Sequence, residues 1–315
     1  MLSPLRIAGC VVVLCASSSN YVFAAGSTPQ LAAGPSSPTL DKAEINACDR
    51  ACLRRLADNY LEALAKHDPQ RLPLSADVRF TENGVVLRPG QGFWRTAGDA
   101  GSHRVYVIDP DRGAIAVQSV VHEAGADVML LLRLKIGEGR IREIETLVVR
   151  KADSQEFDPS SMHSLQPLDV PVPPASRNTR EELIRIADAY YSALHMQGTP
   201  EYRPAPFADG ANRYENGELT TNVPGAPRGS VISLSASEQF DRGMFRGRNV
   251  GDRRYPVVDV ENGTVLGIVT FRPSPTSTVL LLSEVFKIAG GKLRQIRAVQ
   301  LNRPADSPTG WNPRQ

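Results

Sequence analysis

The sequence predicts an α+β protein of two tandem units, each an N-terminal helix packed on a curved, mostly antiparallel sheet. Three observations carry this. First, four local signals recur in one order. Residues 53–60 reappear as 183–190, Thr81-Glu82-Asn83-Gly84 as Tyr214-Glu215-Asn216-Gly217, 107–113 as 257–263, and 135–141 as 287–293. Second, each half opens with a helical apolar period and continues with strand-like runs. Third, 315 residues leave room for two cores of ordinary size.

Taken in order, the chain begins with a secretory pattern over 1–24. Arg6 supplies the positive end, 7–16 the apolar stretch, and Val22-Phe23-Ala24 the small-residue cleavage site. Residues 25–44, rich in Ala, Gly, Ser, Thr and Pro, read as a flexible leader. Removing the signal leaves one cysteine pair, Cys48 and Cys52, which in an exported protein points to a local disulfide; free thiols are the alternative.

The first unit, 45–152, opens with a helix whose apolar positions are Leu53, Leu56, Ala57, Tyr60 and Leu64. Strand signals follow over 104–108, 115–121, 128–136 and 140–149, the last two joined by Gly137-Glu138-Gly139. Counting back from that connection sets Arg133 against Glu143 as a cross-strand ion pair. A Pro- and Ser-rich linker spans 153–178.

The second unit, 179–303, repeats the plan. Thr179 and Glu182 form a capping box before Leu183, Ile186, Ala187, Tyr190 and Leu194, and strands are expected over 254–258, 265–271, 279–288 and 292–301. Residues 304–315 read as a tail.

The helix, the Thr-Glu-Asn-Gly turn, the Gly90-Gln-Gly-Phe-Trp94 loop and the Gly139-Arg-Ile hairpin ending resemble the nuclear transport factor 2-like superfamily. Within it the likeness is to SnoaL-like cyclases and to a tandem, mostly secreted group of unassigned function. The resemblance implies a cone, a bent sheet wrapped round helices with a pocket at its open end. Relatives of this shape include isomerases, dehydratases and lyases that use acid and base side chains without a cofactor, and many non-enzymes.

Candidate chemistry is sparse. Glu284 stands out because its strand alternates Leu280, Leu282, Glu284, Phe286 and Ile288, which sets a carboxylate on an apolar face where Leu132 stands in the first unit. The competing reading is an exposed face, or a partner such as Arg253 or Arg254. Glu82 and Glu215, beside Asn83 and Asn216, are a second candidate base with an amide partner; turn chemistry is the bland reading. Trp94, Tyr60 and Tyr190 are candidate ligand contacts or core. Asp109 and Asp259 read as turn residues. The unrepeated segment 238–245, with Arg253 and Arg254 after it, would cover the second pocket or dock the units.

A net charge of +2 provides no basic field for nucleic acid, and no apolar span follows the N-terminus. No zinc-protease, serine-hydrolase, phosphate-loop or calcium-loop motif occurs, and the resemblance implies chemistry without a cofactor, so neither metal nor cofactor is expected. The resulting expectation is a periplasmic or secreted lyase or isomerase, acting by proton transfer on a small apolar or aromatic ligand. Its alternative is a non-catalytic binding module of the cell envelope. The two units would pack against each other within the chain.

Overall fold

The computed structural model describes residues 48–273 and 278–311; the signal segment 1–24 and the leader 25–44 lie outside them. Helix α1 (Arg50–Ala65) starts where Asp49 accepts the Cys52 amide at 2.8 Å, satisfying one of the free donors of the first turn. Cys48 and Cys52 form a disulfide across this cap, with Cα atoms 5.2 Å apart. Helix α2 (Arg180–Met196) begins at the Thr179–Glu182 capping box. The apolar stripe of each helix, including Tyr60 and Tyr190, is buried.

Each helix lies on a sheet of six strands rather than the four read from sequence. In the first unit these are β1 (Leu74–Glu82), β2 (Val85–Leu87), β3 (Ala97–Asp109), β4 (Ala114–Glu123), β5 (Ala126–Gly137) and β6 (Arg140–Val149), ordered β2-β1-β6-β5-β4-β3. The second repeats this as β8-β7-β12-β11-β10-β9, from β7 (Phe207–Glu215), β8 (Glu218–Leu219), β9 (Arg248–Asp259), β10 (Thr264–Pro273), β11 (Thr278–Ala289) and β12 (Lys292–Pro304). A short helix, α3 (Ala236–Asp241), lies between β8 and β9. All neighbours pair antiparallel except β1 with β6 and β7 with β12. Bulges in β3 and β9 bend each sheet around its helix.

The added strands come from the Asn-Gly motif. Asn83 and Gly84 have φ of 49° and 79°, Asn216 and Gly217 of 44° and 89°, the positive pair that a two-residue hairpin turn requires. Each Asn side chain then pairs with the main chain of the last strand. Asn83 donates to Val148 O at 3.0 Å and accepts its amide at 2.8 Å; Asn216 does the same to Gln300, at 2.9 Å both ways. The side chain thus extends the parallel ladder where the backbone turns away.

The two sheets pack face to face. Val105, Val107, Met129, Leu131 and Leu147 of the first meet Val257, Leu266, Val285, Val299 and Leu301 of the second in one buried cluster. Its rim is closed reciprocally. Arg50 clasps Asp259 through two bonds of 2.7 Å, and Arg180 reaches Asp109 at 2.8 Å, so the recurrent aspartates are clamps between units as well as turn residues. The segments after each sheet also cross over. Glu156 O accepts from Asn216 at 3.1 Å and Asp158 N donates to Asn216 O at 2.9 Å, while Trp311 Nε1 donates to Thr81 Oγ1 at 2.8 Å beside the first turn.

One register differs from the count. Arg133 lies opposite Glu145, because the β5–β6 turn has two residues and a bulge follows Lys135. Arg133 binds Glu145 at 2.8 Å and, diagonally, Glu143 at 2.7 Å. Arg254 of the second unit joins Glu145 at 2.6 Å.

Candidate functional site

The second unit encloses a cavity of about 190 Å³ between α2, the segment after α3, and strands β7 and β9–β12. Side-chain alternation on β11 decides its floor. Leu280 is half-buried near the exposed Asn302, Leu282 lies deeper, and Glu284 is 2% exposed at the bottom. Tyr190 donates its hydroxyl to Glu284 Oε1 at 3.1 Å, and Oε2 has no hydrogen-bond partner. Burial pushes the Glu284 carboxyl up from 4.5 to about 7, against the pull of Tyr191, Arg213 and Tyr190 toward the anion. The Tyr191 phenol lies close enough to exert that pull but makes no hydrogen bond of ordinary geometry. Burial, reinforced by Glu284, raises both phenols well above their ordinary value, so both stay protonated.

Beside this acid sits a buried cation. Arg213, 5% exposed, donates from Nε to Glu215 Oε1 at 2.7 Å and from Nη2 to Gln239 Oε1 at 2.7 Å, leaving Nη1 buried and unpartnered. Gln300 Nε2 donates to the other Glu215 oxygen at 3.2 Å, and Gln239 is anchored by the carbonyls of Thr220 and Val231. A carboxyl poised near neutrality, a phenol on it and a fixed guanidinium form a constellation able to move a proton and hold developing negative charge.

The first unit fills the equivalent space. By strand register Leu132 stands for Glu284, Phe80 for Arg213, Val117 for Gly267 and Val148 for Gln300. Trp94, 1% exposed, enters from the Gly92–Arg95 turn, its Nε1 donating to Tyr60 Oη at 3.0 Å with the rings edge-on at 5.1 Å. Tyr60 therefore serves the indole, where Tyr190 serves a carboxyl.

Residues 46–148 and 176–300 match the family described as "Domain of unknown function (DUF8021)". The chain belongs to this family. Both matched stretches fall on the two units, so DUF8021 is a repeated domain here. No curated protein matches the chain. Among solved structures it is similar to an NTF2-like protein of unknown function from Cytophaga hutchinsonii ATCC 33406, at 9% identity over 32% of this chain and 92% of that one, with a TM-score of 0.27. It is also similar to a de novo designed protein with a curved β-sheet, at 17% identity over 33% and 89%, with a TM-score of 0.25. An LEH-like epoxide hydrolase from M. tuberculosis matches at 18% identity over 30% and 81%, with a TM-score of 0.24.

Within the DUF8021 pair, the structure brings together Glu284, Tyr190 and Glu215 and separates the other candidates from them. Glu82, read as a candidate base, accepts the Phe93 amide at 2.9 Å and holds the turn that delivers Trp94; burial raises its carboxyl despite that bond. Of the two readings of Trp94 and Tyr60, ligand contacts or core, the structure gives core. Asn83 and Asn216, read as amide partners of that base and candidate ligand contacts, have their amides committed to main chain. Glu284 meets neither Arg253, which binds Asp188, nor Arg254, which binds Glu145. The unrepeated segment does cover the second cavity, through Phe245, and holds Arg213 through Gln239, while Arg254 docks the units. Arg213, Gln239, Gln300 and Arg248 were missed. Aligning the units position by position and asking where an apolar residue turns polar would have found Arg213 and Gln300.

Proposed function

We propose that this protein is an exported, cofactor-independent lyase or isomerase whose second unit carries out proton transfer on a small, largely apolar molecule. The supporting observation is Glu284, a carboxyl buried at the floor of a cavity, titrating near neutral pH, with one oxygen unpartnered. Ionised, Glu284 takes a proton from a carbon acid; protonated, it returns one. Tyr190 steadies the carboxyl, and Arg213 faces the electron pair left behind. The first unit, filled by Trp94 and Tyr60, acts as scaffold.

A substrate-independent test is available. The ring opening of 5-nitrobenzisoxazole needs only a desolvated base. The C–H proton passes to the carboxylate, the N–O bond breaks and a phenoxide forms. Protein recovered from the periplasm or medium, its mature chain starting at Ala25, should accelerate this reaction with a rate that rises through a pKa near 7. Glu284→Gln should lower the rate by about 10²-fold or more. Equal rates for the two proteins would remove Glu284 as the base.

A further inference from the structure

The same cavity also specifies the charge of what it binds, an inference that rests on reading it as the reactive site. Its walls are apolar, from Leu194, Phe245, Phe271, Leu280 and Leu282, yet two guanidiniums, Arg213 and Arg248, also line it. Arg213 is neutralised by Glu215 but keeps Nη1 without an acceptor. Arg248 lines the cavity with its guanidinium 5.4 Å over the Phe271 ring, and it forms no ion pair among the described residues. Below neutrality Glu284 carries its proton and two cations face one anion; above it the charges balance, and Arg248 still has no ion-pair partner at the rim.

The two guanidiniums lie at different depths. Phe271 pairs with Val250, two residues from Arg248, and with Leu280; Glu284 lies four residues further along β11, about 13 Å at the rise of an extended strand. Arg248 is therefore at the half-buried rim, and Arg213 at the level of Glu284. An anion at the rim stays clear of the acid on the floor.

We propose that the ligand is a small carboxylic acid with an apolar body, its carboxylate taken by Arg248 at the rim and a second, inner oxygen accepting from Arg213 Nη1. A planar carboxylate matches the guanidinium fork, and an inner carbonyl supplies the acceptor that a buried donor otherwise lacks. The reaction balances without a further reagent. The proton leaves the carbon next to that carbonyl for the Glu284 carboxylate, the C–H pair becomes an enolate held by Arg213, and the proton returns at another carbon or a β-group departs with the pair.

The probe is 4-acetylbenzoate, compared by calorimetry with 4-acetylbenzamide, which lacks the charge, and 4-ethylbenzoate, which lacks the inner oxygen. The acid should bind at least tenfold tighter than the amide, and Arg248→Met should erase that preference. The ethyl compound should bind several-fold more weakly than the acetyl one, a difference that Arg213→Lys should reduce. Arg248 is half-exposed, so its variant keeps the test decisive if the Arg213 variant fails to fold. Equal affinity for acid and amide, no binding of either, or a preference surviving in Arg248→Met would overturn the proposal. Glu284→Gln should retain the acid preference. Loss of base activity without any acid preference would sink this inference alone. An acid preference with ring opening indifferent to Glu284→Gln would sink the proposed function alone.

Discussion

The two units share a strand order, a capped helix and a hairpin turn, yet their interiors have opposite character. In the first, Phe80, Val117, Leu132 and Val148 close around Trp94. In the second, Arg213, Gly267, Glu284 and Gln300 stand at the same positions around a cavity. Outside the interior the units agree closely. Asp58 binds Arg104 and Tyr106 as Asp188 binds Arg253 and Tyr255, each along the helix–sheet contact. A sheet bent on a helix therefore does not determine whether its centre is filled. A few residues pointing inward decide it, and polar ones leave a space with unsatisfied groups.

This contrast can be broken most directly from the filled side. Trp94→Ala should empty the first interior and strip Tyr60 of its donor, costing about 3–5 kcal/mol in urea unfolding while leaving benzisoxazole ring opening unchanged. A matching loss of that activity would show that the units do not divide scaffold from site.

A second, smaller effect comes from the hollow side and depends on pH. The Glu284 carboxyl is raised in the folded chain, so the unfolded chain ionises first, and stability falls as pH rises from about 4.5 to about 7. Glu284→Gln removes this loss. Relative to the native protein the variant should gain up to about 3 kcal/mol between pH 4 and pH 8, read from paired denaturation curves. A constant difference across that range would mean that Glu284 is not buried as a titrating group.

The smallest effect sharpens the geometry. A Cβ at Gly267 would lie 2.6 Å from the Tyr191 hydroxyl and 3.1 Å from the Phe286 ring. Gly267→Ala should therefore cost about 1–3 kcal/mol and displace the phenol, changing the apparent pKa of the ring-opening profile. An unchanged profile would show that Tyr191 has no part in setting it.

Much of this architecture was legible in the chain because its signals are local. Helical spacing marked both helices and the Thr179 cap. Alternation marked the four long strands of each unit, and on β11 it exposed Glu284 as a carboxyl among apolar neighbours. What was hidden depends on pairing far along the chain. Strand β7, with its Gly210 and scattered polar residues, has no alternation, and its pairing with β12 and β8 makes it a strand and turns Arg213 inward. Gln239 arrives from a segment with no counterpart, so comparing the units could not supply it. The Asn-Gly turns were visible, but their bonds to Val148 and Gln300 span 65 and 84 residues.

The reciprocal clamps, Arg50 on Asp259 and Arg180 on Asp109, give the seam the form of a contact between identical subunits. In a homodimer, any substitution strikes both copies together, so a charge placed in one heart appears in its mate. A covalent pair escapes that coupling. One half can remain a solid keel while its sibling tolerates a hollow and a half-satisfied guanidinium, and the ballast of the first keeps the second afloat.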